Sequence, residues 1–360
     1  IFATGSICVA GARVPSDLAA VAKAHQREAI EFCLHNLENE RGSILAHSMG
    51  LGKTFSALAT LDAIFRVKPC HALLLAPKST RISWMDEFER WGDMLSIVMH
   101  IGKDGATLPV VTQTWMRLGG VLQMTYELFA SLSDPAWLKA VNILVLDEAH
   151  VLSNPQTKTF KAVERIPTRA RIALTGTPIA NHLSEYHTIL SVVAPDLLHE
   201  EDIEDIKLFE RRFVRPIQAG QTKDATLQAA KLMRQHIHVL RMKMDSVMHR
   251  KTMAILSHSL PSKAEFVVRY TLSPQAQLDY DALSSAMCFE TWQELVTRVS
   301  VNDKVRVTST LLDECAAVGE RSIVFSQRKD PLSRLHQQRG DGRLYSGELS
   351  DADRTALVHE

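Results

Sequence analysis

The chain has 360 residues, 46% of them apolar, and balances 41 basic against 41 acidic side chains. That is enough apolar material for two domains of ordinary size, and the balanced charge excludes a nucleic-acid footprint spread over the whole surface, so any such surface must be local. The five cysteines (Cys8, Cys33, Cys70, Cys288 and Cys315) lie far apart without a CxxC pair, which speaks against structural zinc or a disulfide framework and for a reducing compartment.

Residues 1–21 read as a lead-in without periodicity. No signal pattern and no bilayer-length apolar stretch is found, so a soluble intracellular protein with no membrane partner is expected. Between residues 22 and 192, helical patterns alternate with short apolar runs at 42–46, 71–76, 120–124, 142–146 and 171–174. Short buried strands separated by helices predict an α/β fold with a parallel sheet covered on both faces. Functional groups should then sit at the carboxyl ends of the strands. From about 196 to 270 the strand signal fades and helix is expected. Residues 206–251 carry eleven Lys or Arg against three Asp or Glu, either a nucleic-acid contact or a solvated helical face. A helix over 304–318, an apolar strand over 322–325, a further helix and a strand-like 343–345 predict the beginning of a second α/β domain. The predicted division is 1–21, 22–195, 196–270 and 271–360.

Three segments carry chemistry. The first strand runs into His47-Ser48-Met49-Gly50-Leu51-Gly52-Lys53-Thr54 and then a helix. Gly50 and Gly52 let backbone N–H groups turn toward a phosphate, and the helix start adds the positive end of its dipole. Lys53 supplies a charge for the outer phosphates and Thr54 a hydroxyl for Mg²⁺. The loop departs from the strict pattern at His47, where a glycine is usual. The fourth strand ends in Asp147-Glu148-Ala149-His150. Two acids ending a wholly apolar run are costly unless they have work to do: Asp147 for the Mg²⁺ shell, Glu148 to orient and deprotonate an attacking water. The third segment is Leu174-Thr175-Gly176-Thr177-Pro178, which alone reads as a strand ending in a Gly-Pro turn.

In this order and spacing, "MGLGKT", "DEAH" and "LTGTP" resemble motifs I, II and III of helicase superfamily two, specifically its Swi/Snf-like DNA translocase family. His25-Gln26 resembles the upstream motif in which Gln26 would read adenine. Leu75-Ala76-Pro77-Lys78-Ser79 with Trp84 resembles motif Ia, and Met124-Thr125-Tyr126-Glu127 the "TYE" strand end. "AHSMGLGKT", "GGVLQMTYELF" and "RRFVRPIQAGQ" resemble the Rad54-like part of the family and its ATRX-like branch. No cysteine-rich histone-reading domain accompanies them. Arg321 to Gln327, and Tyr345-Ser346-Gly347 with Arg354, resemble the opening elements of the second motor lobe.

The resemblance implies a RecA-like ATP-binding lobe, a helical basic insertion and the beginning of a second RecA-like lobe without motifs V and VI. It implies ATP and Mg²⁺ as cofactors. Residues 47–54 (His47, Ser48, Met49, Gly50, Leu51, Gly52, Lys53, Thr54) and Gln26 would bind nucleotide, and Thr54 and Asp147 the metal. Lys53, Asp147 and Glu148 would be catalytic, Thr175, Gly176, Thr177 and Pro178 coupling residues, and Lys78, Thr125 and Tyr126 DNA contacts. The implied activity is a DNA-dependent ATPase moving along double-stranded DNA in the nucleus, with nucleosomes or other DNA-bound protein as candidate substrates. Without motif VI, slow turnover is expected. A chromatin scaffold with an idle motor and a superfamily-two RNA helicase are the alternatives.

Overall fold

Along the strand β2 (His71–Ala76), Leu73 and Leu75 enter one hydrophobic core while Ala72 and Leu74 enter another. This is the period-two rule of a strand, with both faces apolar because both are covered. The computed structural model describes residues 11–133, 135–176, 183–200, 203–222, 224–256, 263–284 and 301–345. The chain divides into two compact units, residues 1–261 and 262–360.

The first unit is built on a seven-stranded sheet in which every pairing is parallel. With β1 (Ser43–His47), β3 (Met99–Ile101), β4 (Gly120–Thr125), β5 (Ile143–Leu146), β6 (Arg171–Leu174) and β7 (Met248–Lys251), the order is β3-β4-β2-β5-β6-β1-β7. The first helices are α1 (Ser16–Val21), α2 (Ala24–Glu38), α3 (Lys53–Val67) and α4 (Arg81–Trp91). Residues from all four join Leu45, Val145 and Ile172 in one core. The opposite face is covered by α5 (Leu108–Leu118), α6 (Tyr126–Ala130), α7 (Lys158–Glu164) and α8 (Ser184–Val193). Then come α9 (Pro195–Glu200), α10 (Ile206–Phe209), α11 (Arg215–Gln221) and α12 (Leu227–Met244). Phe209, Phe213, Ile217, Leu240 and Met244 continue this second core into the basic insertion.

The five predicted strands appear within a residue or two of their expected limits. Two strands were not expected. The three-residue β3 is too short to carry a pattern. β7 lies inside the segment read as helical, because Met-His-Arg-Lys at a sheet edge needs no apolar run. It pairs with β1 from Ile44↔Met248 to His47↔Lys251.

In the second unit, α13 (Pro274–Ser284), α14 (Val301–Ala317) and α15 (Lys329–Arg339) are helical. Val301, Val305 and Leu335 form its small core, with Leu312 and Val324 packed against it. The helix expected over 304–318 is α14. Neither 322–325 nor 343–345 is a strand, and Ile323 and Phe325 are exposed. A parallel strand is stable only beside a partner, and the second unit has none among its described residues. Ser346, Gly347 and Arg354 lie outside the described residues.

Candidate active site

The carboxyl ends of β1, β5 and β6 bring the three sequence segments together. After His47 the chain turns through Gly50 (φ 79°) and Gly52 (φ 74°), both in the left-handed region that favours glycine. A methyl group on Gly50 would meet nothing within 4 Å, whereas one on Gly52 would lie 2.1 Å from Gln26 Nε2. Gly50 thus faces open space, where a phosphate could approach. Among the described residues the N–H groups of Gly50 and Gly52 find no main-chain acceptor. Lys53 and Thr54 open α3, and the first N–H groups of a helix have no partner within it. Together these donors form an anion cradle.

Lys53 Nζ donates to the carbonyl of His47 at 2.9 Å. Burial lowers its pKa, while Glu148 and Asp147 act in the opposite direction. Lys53 and both acids therefore share one site. Gly176 belongs to it too, since a methyl there would stand 3.6 Å from Lys53 Nζ and 3.2 Å from Met49 Cγ.

Asp147 is buried, and three bonds fix it. Its N–H donates to Leu75 O at 2.8 Å, its carbonyl accepts from the Tyr126 hydroxyl at 2.8 Å, and Oδ2 accepts from Trp84 Nε1 at 2.9 Å. The indole takes one carboxylate oxygen and leaves the other for a cation. Glu148 adopts φ 46°, strained for a residue with a side chain. Its Oε2 lies 3.2 Å from His150 Nδ1, which makes the two an ion pair when the ring is protonated. Among the described residues the Thr175 hydroxyl is buried without a partner. A buried hydroxyl in that state is rare in folded proteins and suits contact with a bound ligand. A magnesium-bound triphosphate fits this donor set: cradle, lysine, hydroxyl and carboxylates.

Gln26 is committed at both ends of its amide. Oε1 accepts from Lys23 N–H at 2.9 Å and Nε2 donates to Leu51 O at 3.3 Å. It clamps the loop to α2. The side chain of His47 is fully buried and turned to His249, so only its backbone belongs to the cradle. Lys78 is exposed beyond the end of β2. Thr125 caps α6 by accepting from Leu128 N–H at 3.2 Å. The expectation that Tyr126 touches DNA is corrected: its ring is buried, and its hydroxyl supports the Asp147 backbone. Thr177 and Pro178 lie outside the described residues. Sequence reasoning missed Trp84 as partner of Asp147 and Glu28, His249 and Lys251 beneath the loop. Their contacts span separations that no motif records.

The SNF2-related domain family matches residues 25–319. Transcriptional regulator ATRX of Homo sapiens is 31% identical over 287 residues, which cover 68% of this chain and 11% of that protein. The DNA repair and recombination protein RAD54-like of Drosophila persimilis is 29% identical over 342 residues, covering 88% of this chain and 43% of that protein. The chain thus spans less than half the length of these relatives. Among solved structures, the Sulfolobus solfataricus SWI2/SNF2 ATPase core in complex with dsDNA matches with a TM-score of 0.53 and 22% identity, covering 94% of this chain and 74% of that one. The same core domain described by itself gives 0.55 and 22%, covering 99% and 76%. These likenesses bear out the RecA-like, α/β reading of the sheet. A match that begins at the helix clamping the loop and runs into the second unit leaves one assignment: the chain belongs to the SNF2-related domain family.

Proposed function

We propose that this chain is the ATP-hydrolysing motor of a DNA translocase that acts on duplex DNA in the nucleus. The observation that carries the reading is the convergence of Lys53, Asp147, Glu148 and Gly176 on one open phosphate cradle. Bound Mg²⁺ would supply charge neutralisation on the phosphates, held by the Thr54 hydroxyl and the free oxygen of Asp147. Lys53 would exchange the His47 carbonyl for the outer phosphate oxygens. Glu148, held at a strained φ beside His150, would take the proton of the attacking water. Gly176, packed beside Lys53 and Met49, would respond to the outer phosphate and pass the change into the segment that follows β6.

Lys78 supports the DNA reading at one end of the sheet. A second support is α12, whose 18 residues contain no Asp or Glu. Lys231, Arg234, Gln235 and His238 line one concavity there. Their spacing puts them on a single helical face, suited to sequence-tolerant phosphate contacts. Nucleosomes or other DNA-bound proteins are the candidate substrates of such a motor.

Nucleotide binding tests the reading. Lys53→Ala should weaken ATP binding by about 100-fold or more, since the lysine is the charge aimed at the phosphates. Glu148→Gln should keep binding and lose hydrolysis. Unchanged ATP affinity in Lys53→Ala would sink the assignment and favour a scaffold with an idle motor.

A further inference from the structure

Beneath the phosphate loop lies a group of side chains that the proposed chemistry leaves unused. His47, the last residue of β1, brings Nε2 to 2.7 Å from Nδ1 of His249 on β7. On the other side of the His249 ring, Nε2 faces Glu28 Oε2 of α2 at 3.8 Å. The same oxygen of Glu28 pairs with Lys251 Nζ at 2.5 Å. From α2, His25 meets the His47 ring edge-on with 6.2 Å between centroids, and its own Nε2 is 3.1 Å from the Leu51 carbonyl. Lys53 of α3 is the remaining charge that bears on His47.

Only one distribution of protons suits this geometry. A bond between Nε2 of one ring and Nδ1 of the other needs one donor and one acceptor. If His249 carried its proton on Nδ1, a bare lone pair would face the Glu28 carboxylate. The buried Nδ1 of His47, which has no partner among the described residues, would then be an orphan N–H. If instead His249 is protonated on Nε2, its N–H points at Glu28 and its Nδ1 accepts from His47 Nε2–H. The orphan becomes an acceptor, which is better tolerated than a buried donor. Both rings are then neutral Nε2–H tautomers. Burial first, then His249, His25, Lys53 and Lys251, press the pKa of His47 down to about 3. Burial and Lys251 lower that of His249 against the pull of Glu28. Both shifts keep the rings uncharged at neutral pH.

The backbone of His47 is where this network meets the nucleotide site. Its carbonyl holds Lys53 Nζ, and the next N–H, of Ser48, donates to Lys251 O at 3.0 Å. We propose that His249 and His47 form a neutral hydrogen-bonded pair, with the Glu28 carboxylate facing its outer end, that positions the phosphate loop, making His249 and Glu28 positioning residues for the nucleotide. The proposal rests on the reading of that loop as an ATP site. Holding the His47 ring against His249 restrains the residue whose carbonyl fixes the lysine amine. The pair also ties the end of the basic insertion to the cradle, because β7 is the strand on which the insertion returns.

The test uses the full chain and a fluorescent ADP analogue with Mg²⁺ at pH 7.5. His249→Leu should weaken binding about tenfold, while His249→Gln, whose amide oxygen can accept from His47, should restore it to within about twofold. Two-bond ¹⁵N–¹H correlations on the wild-type chain should show the Nε2–H tautomer for both rings. Equal affinity in wild type and His249→Leu would remove the positioning pair and leave the ATP site standing. So would equal loss in Leu and Gln, which would mark a packing role, or an Nδ1–H signal from either ring. A wild-type chain that binds no nucleotide would remove both the ATP reading and the positioning pair. If His249→Leu fails to fold, the spectrum and Glu28→Gln decide, since Glu28 is about half exposed. Glu28→Gln should mix the tautomers and weaken binding, and a wild-type result on both counts overturns the positioning pair.

Discussion

The Trp84 indole decides which oxygen of Asp147 stays available, because its N–H already occupies Oδ2. Replacing it with Phe keeps most of the ring and deletes the 2.9 Å bond to Oδ2. Partners that orient a metal-binding carboxylate typically cost about 10–100-fold when removed, so Trp84→Phe should raise the Mg²⁺ concentration for half-maximal ATPase activity by at least about tenfold. A Mg²⁺ titration of the two proteins checks this. The cradle and the acids were readable in the sequence because each is contiguous, and glycine, lysine and carboxylate chemistry leaves a local signature. Trp84 stands 63 residues from Asp147, and His249 stands 202 from His47. No spacing rule links such pairs, which are fixed only once the strands are ordered. Tyr126 was misread for the opposite reason: it sits in a motif, but the strand end turns its ring inward.

The buried histidines also set a pH response. An unfolded His47 would take a proton near its ordinary value of 6.5, whereas the folded ring resists protonation down to about 3. Between those values the unfolded chain binds more protons, so stability falls as pH drops below 6.5 and is fully present above it. Urea midpoints at pH 7.5 and 5.0 should differ in that direction. His47→Gln, which has no titrating ring, should narrow the difference. A midpoint that rises on acidification would contradict the burial of a neutral ring.

At the scale of elements, the basic insertion shows what periodicity conveys and what it hides. The surplus of Lys and Arg was visible, and so was the helix of α12. That the segment ends in a strand was hidden, because β7 is short, polar and at an edge. The helical face of α12 makes a separable contribution to the proposed DNA contact. Converting Lys231 and Arg234 to Ala should weaken duplex binding for all sequences and flatten the dependence of log K on log salt by about two units, roughly one for each phosphate no longer neutralised. Anisotropy titrations with a fluorescent duplex at several salt concentrations measure the slope. An unchanged slope would assign α12 to solvent.

Over the whole molecule, apolar burial is unevenly shared. The first unit has continuous cores on both faces of its sheet, and among the described residues the second has a core cluster of Val301, Val305 and Leu335 with two more residues packed against it. Local opening follows such differences. Amide hydrogen exchange should find the central strands β1, β2, β5 and β6 protected longest. Residues 301–345 should exchange faster by about two orders of magnitude or more, the factor that a few kcal/mol of local stability sets. Equal protection in both units would contradict this distribution. The strand expected over 322–325 was misread for a related reason. Ser322 to Phe325 has the composition of a strand, but composition cannot supply the neighbour that a strand needs.

The position of β1 in the sheet has a mechanical consequence. The chain leaves the sheet at Leu174, the end of β6, and returns at Met248, the start of β7, and these two strands flank β1. Everything between is a handle whose two feet are fastened to opposite sides of the same strand. A partner that tugs on that handle loads β1 from left and right together, and the strand taking the strain is the one that ends at the lysine's carbonyl anchor.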